Sequence, residues 1–184
     1  MLEAVGDVGY DRTSVRTVLD RTDLYRQAFY DHFSSKQDCY LQAYDAALAR
    51  IEAGMVAAAS QHRAWRDQLR AGLGALLDFV DSEPRAARAL IVEVHPAGEE
   101  AVAKHTAALA RTHIFLDRAR SEPGATEAAP AITSEAIASG IHVVLHSRLA
   151  AGDRNGFHRL LPELMYIAVL PYFGGDAART EMRA

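Results

Sequence analysis

Residues 14–36, SVRTVLDRTDLYRQAFYDHFSSK, decide the fold. Two short helical pieces, SVRTVLDR and YRQAFYDH, are separated by only a few residues and followed, past Ser34-Ser35, by a much longer helical pattern. Helices joined by so short a turn suit a helix-turn-helix. Val15, Val18 and Leu19 face inward from the first piece, and Ala28, Phe29 and Phe33 pack from the second. The exposed side of the second piece then carries Arg26, Gln27, Tyr30 and Asp31. Across residues 12–36, five basic residues (Arg12, Arg16, Arg21, Arg26, Lys36) outnumber three acidic ones (Asp20, Asp23, Asp31), a balance of +2. The whole chain is −4, so the remainder carries −6. A positive end on a negative body is the asymmetry expected where one end meets phosphate.

Working outward, the chain has 184 residues, 49% of them apolar and 24% charged, the balance of an ordinary globular protein with a core of its own. Alanine occurs 35 times and β-branched runs are scarce, which predicts an all-α fold. Leu41, Tyr44, Leu48, Ile51 and Met55 mark one face of a helix over roughly 35–58, and Trp65, Leu69, Leu73, Leu76 and Val80 one over about 62–82. Ser82-Glu83-Pro84 closes the latter before a short helix to His95. Val102, His105, Leu109, Thr112 and Leu116 define the next stripe, ended by Ser121-Glu122-Pro123-Gly124. Ala125 to Pro130 reads as a loop. Helices over about 131–151 and 161–173 complete the chain, with Pro162 tolerable in a first turn. No apolar stretch approaches the ~20 residues needed to span a bilayer, and no signal peptide is apparent, so a cytoplasmic protein without membrane contact is expected. One cysteine, Cys39, allows no intrachain disulfide; a small packing residue is the better reading of it than a redox group.

The string VGYDRTSVRTVLDRTDLYRQAFYDHFSSKQD resembles the N-terminal signature of the tetracycline-repressor-like (TetR) regulators, most specifically in its ending FYDHFSSK. The run LLPELMYIAVLPYFGG is similar, more loosely, to the last helix of many members. The resemblance implies a three-helix helix-turn-helix DNA-binding domain over 1–40 and a helical ligand-binding and dimerisation bundle over 41–184. It also implies a homodimer acting as a transcription regulator, most often a repressor. Two departures stand out. The turn reads Thr22-Asp23-Leu24-Tyr25, where Asp23 tolerates a left-handed conformation but Tyr25 supplies no side-chain cap. Only Met1 to Val8 precede the Gly9-Tyr10 turn, and the family's basic lead-in is absent, which implies an upstream start or weakened DNA affinity.

A recognition helix needs side chains at its N-terminal end to reach base edges, with flanking groups fixing register on phosphate. Arg26 and Gln27 are the expected readers. Thr13, Tyr30, His32 and Lys36 match the family's phosphate-clamping positions. Effector contacts are expected from His105 and Thr112, polar groups on the apolar stripe of Leu109 and Leu116. Trp65, Leu69, Leu90 and Val94 would add apolar walls, and His113 a further polar contact. Those walls favour an apolar or amphipathic effector. His142 and His146, four apart, share a helical face, but no HExxH accompanies them and no metal or other cofactor is expected. P-loop, GxSxG and dinucleotide fingerprints are missing, so the chain is not expected to be an enzyme. The competing readings are a helical-bundle metal enzyme drawing on His62, His113, His142 and His146, and a ligand-binding relative that has lost its operator. The helices over 131–151 and 161–173 carry wider apolar arcs than one core demands, which predicts a two-fold dimer built from them, with Ala138 and Gly140 at the close approach and His142 and His146 near the seam.

Overall fold

The computed structural model describes residues 1–126 and 129–183. All regular structure among them is helical: α1 (Leu2–Val8), α2 (Val15–Leu19), α3 (Arg26–His32), α4 (Lys36–Ala59), α5 (Trp65–Ser82), α6 (Pro84–Ile91), α7 (Glu99–Asp117), α8 (Thr133–Ala151) and α9 (Leu161–Glu181). Short 3-10 turns, Arg118–Ser121 and Phe157–Leu160, follow α7 and precede α9. Local chemistry sets several of these bounds. Ser14 and Thr17 form a reciprocal capping box at the start of α2, and the Ser35 hydroxyl accepts from the Asp38 N–H at the start of α4. Pro84 opens α6, where its missing N–H costs nothing. Gly152, at φ 98°, supplies the left-handed residue that ends α8.

Two cores organise the helices. Val5, Tyr10, Tyr40, Leu41 and Tyr44 pack with Ala89, Leu90, Val94 and Ala101, joining α1, α4, α6 and the start of α7. A larger cluster packs Trp65, Leu69 and Leu77 of α5 against Ile137 and Leu145 of α8 and Leu164, Met165 and Tyr172 of α9. The first core draws on both sides of residue 40, so α1 and the turn that follows it are welded to the body rather than hung from a linker. Glu93 reinforces that weld. Buried, its carboxylate accepts from the Tyr10 backbone N–H at 2.9 Å and from Arg88 Nη2 at 2.9 Å. Arg88 also donates to the Leu149 carbonyl of α8 at 3.3 Å.

Three expectations change. The helix expected to stop at Phe173 runs on to Glu181: Gly174, at φ 78°, kinks it, and the chain then resumes helical geometry. The continuation is held because Ala178 is fully buried and Glu181 pairs with Arg70 at 2.7 Å. Among the described residues no non-glycine has positive φ, so the turn at Asp23 needs no left-handed conformation. Trp65, rather than residue 62, begins α5. Of the expected loop over 125–130, Glu127 and Ala128 lie outside the described residues. No described helix is long and apolar enough to cross a membrane.

Candidate nucleic-acid face and ligand cavity

Helix α3 buries Phe29 and presents Arg26, Gln27, Tyr30 and Asp31 to solvent. Its N-cap is Tyr25, which gives no side-chain cap. Among the described residues Arg26 has no carboxylate partner; its guanidinium lies 5.6 Å from the Tyr30 ring. Gln27 donates to Asp31 Oδ1 at 3.0 Å, which fixes its amide on the helix surface. His32 is exposed at the other end. Lys36, the first residue of α4, donates to the Tyr10 carbonyl at 2.9 Å and sits 4.0 Å above the Tyr10 ring. Two of its three donors remain for another partner. Thr13 is different: 2% exposed, it donates its hydroxyl to the Gly9 carbonyl at 2.8 Å. The phosphate clamp expected of Thr13 therefore has no exposed hydroxyl behind it, because that group closes the Gly9-Tyr10 turn instead. Arg21 is likewise engaged, bound to Asp7 at 2.7 Å.

Two residues of this face escaped the sequence reading. Leu24 and Tyr25 are 58% and 85% exposed, directly ahead of α3. The signal was present in the departure at the turn, which was read only as a missing cap.

Behind the first core lies a cavity of about 590 Å³ between α4, α5, α7 and α8. Helices α4 and α7 run in the same direction and are strapped together by Lys104 with Asp45, at 2.8 Å, and Arg111 with Glu52. The wall on α4 stretches from Tyr44 to its C-cap Ser60, seventeen residues and a rise of about 24 Å. Leu48, Ile51 and Met55 supply its middle; Leu48 and Ile51 also pack against the first core. Val56, Ser60 and Arg118 are exposed at one end; at the other, Tyr44 is 2% exposed. The cavity is therefore long, apolar and closed at the Tyr44 end.

Of the expected effector contacts, Leu69, Leu90, His105, Leu109, Thr112 and Leu116 line this space. Trp65, Val94 and His113 do not. Trp65 is 1% exposed, donates from its indole to the Phe115 carbonyl at 3.1 Å and fills the larger core. Val94 is in the other core. The buried His113 Nε2 has no hydrogen-bond partner among the described residues, and His113 is not part of the cavity lining.

At the closed end His105 Nδ1 lies 3.0 Å from the Tyr44 hydroxyl, and His105 Nε2 lies 3.3 Å from His142 Nδ1. Burial, reinforced by His142, His95 and His146, pushes His105 down to about 4. Burial also lowers His142. Both rings are neutral at neutral pH. His142 is thus turned into the body, not toward an outer seam, and Ala138, 3% exposed, is core as well. Among the described residues no three His, Cys, Asp or Glu side chains are placed to hold a metal. Cys39 is buried, and burial pushes its thiol up, as suits a packing residue.

Residues 2–43 match the family described as bacterial regulatory proteins, tetR family. The N-terminal segment thus carries a TetR-type helix-turn-helix domain. An 81-residue stretch is 32% identical to the uncharacterized HTH-type transcriptional regulator YezE of Bacillus subtilis (strain 168), and this match spans 42% of each chain, less than half of the relative's length. Two solved structures share the fold over most of the chain. The fatty acid degradation regulator FadR from Bacillus halodurans aligns with a TM-score of 0.80 at 10% identity, covering 91% of this chain and 93% of its own. The transcriptional regulator FadR from Bacillus subtilis, in complex with stearoyl-CoA, aligns at 0.79 and 13% identity, with the same coverages. In TetR terms, α2 and α3 are the helix-turn-helix, and α4 is the helix that leads from it into the cavity wall.

Proposed function

We propose that this protein is a ligand-responsive transcriptional regulator, a repressor, that binds palindromic operator DNA as a dimer in the cytoplasm and lets go when a small apolar or amphipathic effector fills the cavity. The observation that carries the reading is that the cavity and the helix-turn-helix share structural members. Leu90 and Ile91 of α6 line the cavity. The same helix packs on α1, and just beyond it Glu93 holds the Gly9-Tyr10 turn. Helix α4 begins with Lys36 at the DNA-facing end and carries Tyr44 on the cavity wall. An effector that displaces α6 or α4 biases the recognition helices with it, which is the differential contact that allostery requires. The neighbour bound to stearoyl-CoA supports an effector with a long apolar portion, and the apolar wall of about 24 Å on α4 suits one.

Filling the cavity tests the coupling. Leu109→Trp places an indole in the space, and the variant is expected to lose effector-induced release in a gel shift while keeping its operator affinity. Release that stays intact would remove α7 from the effector site.

Contacts with DNA divide by chemistry. Lys36→Ala is expected to weaken binding to all sequences alike and to lower the salt slope by about one, since a phosphate contact carries no base information. Arg26→Ala is expected to cost about 1–3 kcal/mol at particular base pairs and little at others. Titrations at several salt concentrations against operator and scrambled DNA separate the two; equal losses on both DNAs for Arg26→Ala would make it a clamp.

A further inference from the structure

The polar end of the cavity is half-buried and only partly used by the protein. Tyr44, His105 and His142 come from three helices and form one relay, Tyr44 Oη to His105 Nδ1 at 3.0 Å and His105 Nε2 to His142 Nδ1 at 3.3 Å. Each nitrogen of His105 is engaged. His142 lines the cavity, and among the described residues its Nε2 has no hydrogen-bond partner. We propose that the effector is an apolar molecule with a neutral oxygen, a hydroxyl or a carbonyl, on its buried end, hydrogen-bonded to His142 Nε2. This deepens the effector reading above and rests on it.

The proton arithmetic explains why both oxygen types fit. A neutral imidazole has one donor and one acceptor nitrogen. When Tyr44 donates into His105 Nδ1, His105 Nε2–H donates to His142 Nδ1, and His142 Nε2–H faces the cavity as a donor for a carbonyl. When the relay reverses, His142 Nδ1–H donates to His105 Nε2, His105 Nδ1–H donates to Tyr44, and His142 Nε2 accepts from a hydroxyl. No charge forms in either state. A carboxylate at this end is disfavoured, because the imidazoles are neutral and the guanidinium nearest along α7, Arg111, is tied to Glu52. A plain hydrocarbon end is disfavoured for the opposite reason: it would desolvate His142 Nε2 and return no hydrogen bond. His142 is the contacting residue; Tyr44 and His105 are positioning residues that set its tautomer.

Displacement of the amphipathic fluorophore 1-anilinonaphthalene-8-sulfonate by dodecan-1-ol, dodecan-2-one and 1-fluorododecane reads the assignment directly, because the three share an alkyl body and differ in the polar group at its end. In the unaltered protein the alcohol and the ketone are expected to compete at concentrations about 10- to 100-fold lower than the fluoroalkane. His142→Leu is expected to bring all three within about twofold by weakening the oxygen-bearing pair and sparing the fluoroalkane. Tyr44→Phe removes one hydroxyl and little volume, and is expected to shrink the preference without abolishing binding. Equal competition by all three in the unaltered protein, or a preference that survives His142→Leu, overturns the polar-end assignment while leaving the effector cavity standing. Failure of the fluorophore and of all three probes to bind overturns the cavity reading and this one together.

Discussion

Gly6→Ala is expected to lower the melting temperature by about 6–12 °C, the shift of a domain this size for about 3 kcal/mol. A Cβ at Gly6 would stand 2.0 Å from the Arg85 carbonyl oxygen and 2.6 Å from its carbon, so the obstacle is the backbone of α6, which cannot rotate away as a side chain can. Alanine is the better helix former by roughly 1 kcal/mol, and α1 has ordinary helical geometry there, so propensity alone predicts stabilisation. The clash is larger and decides the sign. Helix α1 must lift from α6, which also strains the ion pairs of Arg85 with Asp7 at 2.6 Å and with Glu3 at 3.3 Å. Since α1 and the Gly9-Tyr10 turn seat the helix-turn-helix on the body, operator affinity is expected to fall as well. Gly54→Ala is the control: Gly54 is exposed in α4 with nothing within 4 Å of an added Cβ, and the change is expected to add about 0.5–1 kcal/mol. Thermal melts of the two variants should therefore move in opposite directions, and a Gly6→Ala protein as stable as the parent would show that α1 does not lean on α6 as described.

The contrast between these glycines shows what a sequence carries. Both read as glycines inside helical patterns; only the approach of Arg85, 79 positions away, separates them. Helix α4 was legible almost to the residue, because Ser34-Ser35, Asp38 and the stripe from Leu41 to Met55 are local signals. The inward turn of that stripe was legible too, but not whether it meets side chains or a space, since a cavity wall and a packed core demand the same apolar spacing. That is why Leu69, Leu109 and Leu116 fell on the cavity and Trp65 did not: helical phase gives direction, and depth depends on partners such as Phe115 and Tyr172. His142 was assigned with His146 from their spacing of four. Its structural partner is His105, 37 residues earlier on another helix. The end of α9 was misread because Pro171 and Gly174-Gly175 are local stop signals, and the contacts that override them, Glu181 with Arg70 and Arg66, are distant ones.

Val143→Glu is expected to convert the protein to a monomer at micromolar concentration and to lower operator affinity by about 100-fold or more, the avidity of two linked half-site contacts. The sequence between Glu135 and Arg148 on α8, and between Glu163 and Asp176 on α9, contains no Asp, Glu, Lys or Arg; its two titratable imidazoles are His142, turned into the body, and His146. The inner faces of both helices are accounted for by the larger core, in which Ile137, Ile141 and Leu145 pack with Leu164, Met165 and Ala168. What remains outside still lacks Asp, Glu, Lys and Arg between those ends. Ala136, Ser139, Gly140, Val143 and Ser147 recur along the exposed side of α8, with Val143 58% exposed, and α9 adds Ile167 and Leu170 at 48% and 38%. A solvent face would ordinarily be charged, and a second copy of the same face is the partner that a two-fold axis supplies. Gly140 has nothing within 4 Å of an added Cβ and so takes the close-approach role once given also to Ala138. On a two-fold interface one substitution counts twice: two carboxylates lose solvent and face each other across the axis, at a cost of several kcal/mol. Ile114→Glu, on α7 where the side chain is 71% exposed, introduces the same charge away from this face and is expected to leave the dimer intact. Sedimentation of the parent and both variants, followed by operator titration, decides the matter: a dimer that survives Val143→Glu, or a parent protein that is monomeric with and without operator DNA, would remove α8 and α9 as the interface and with them the palindromic-site reading.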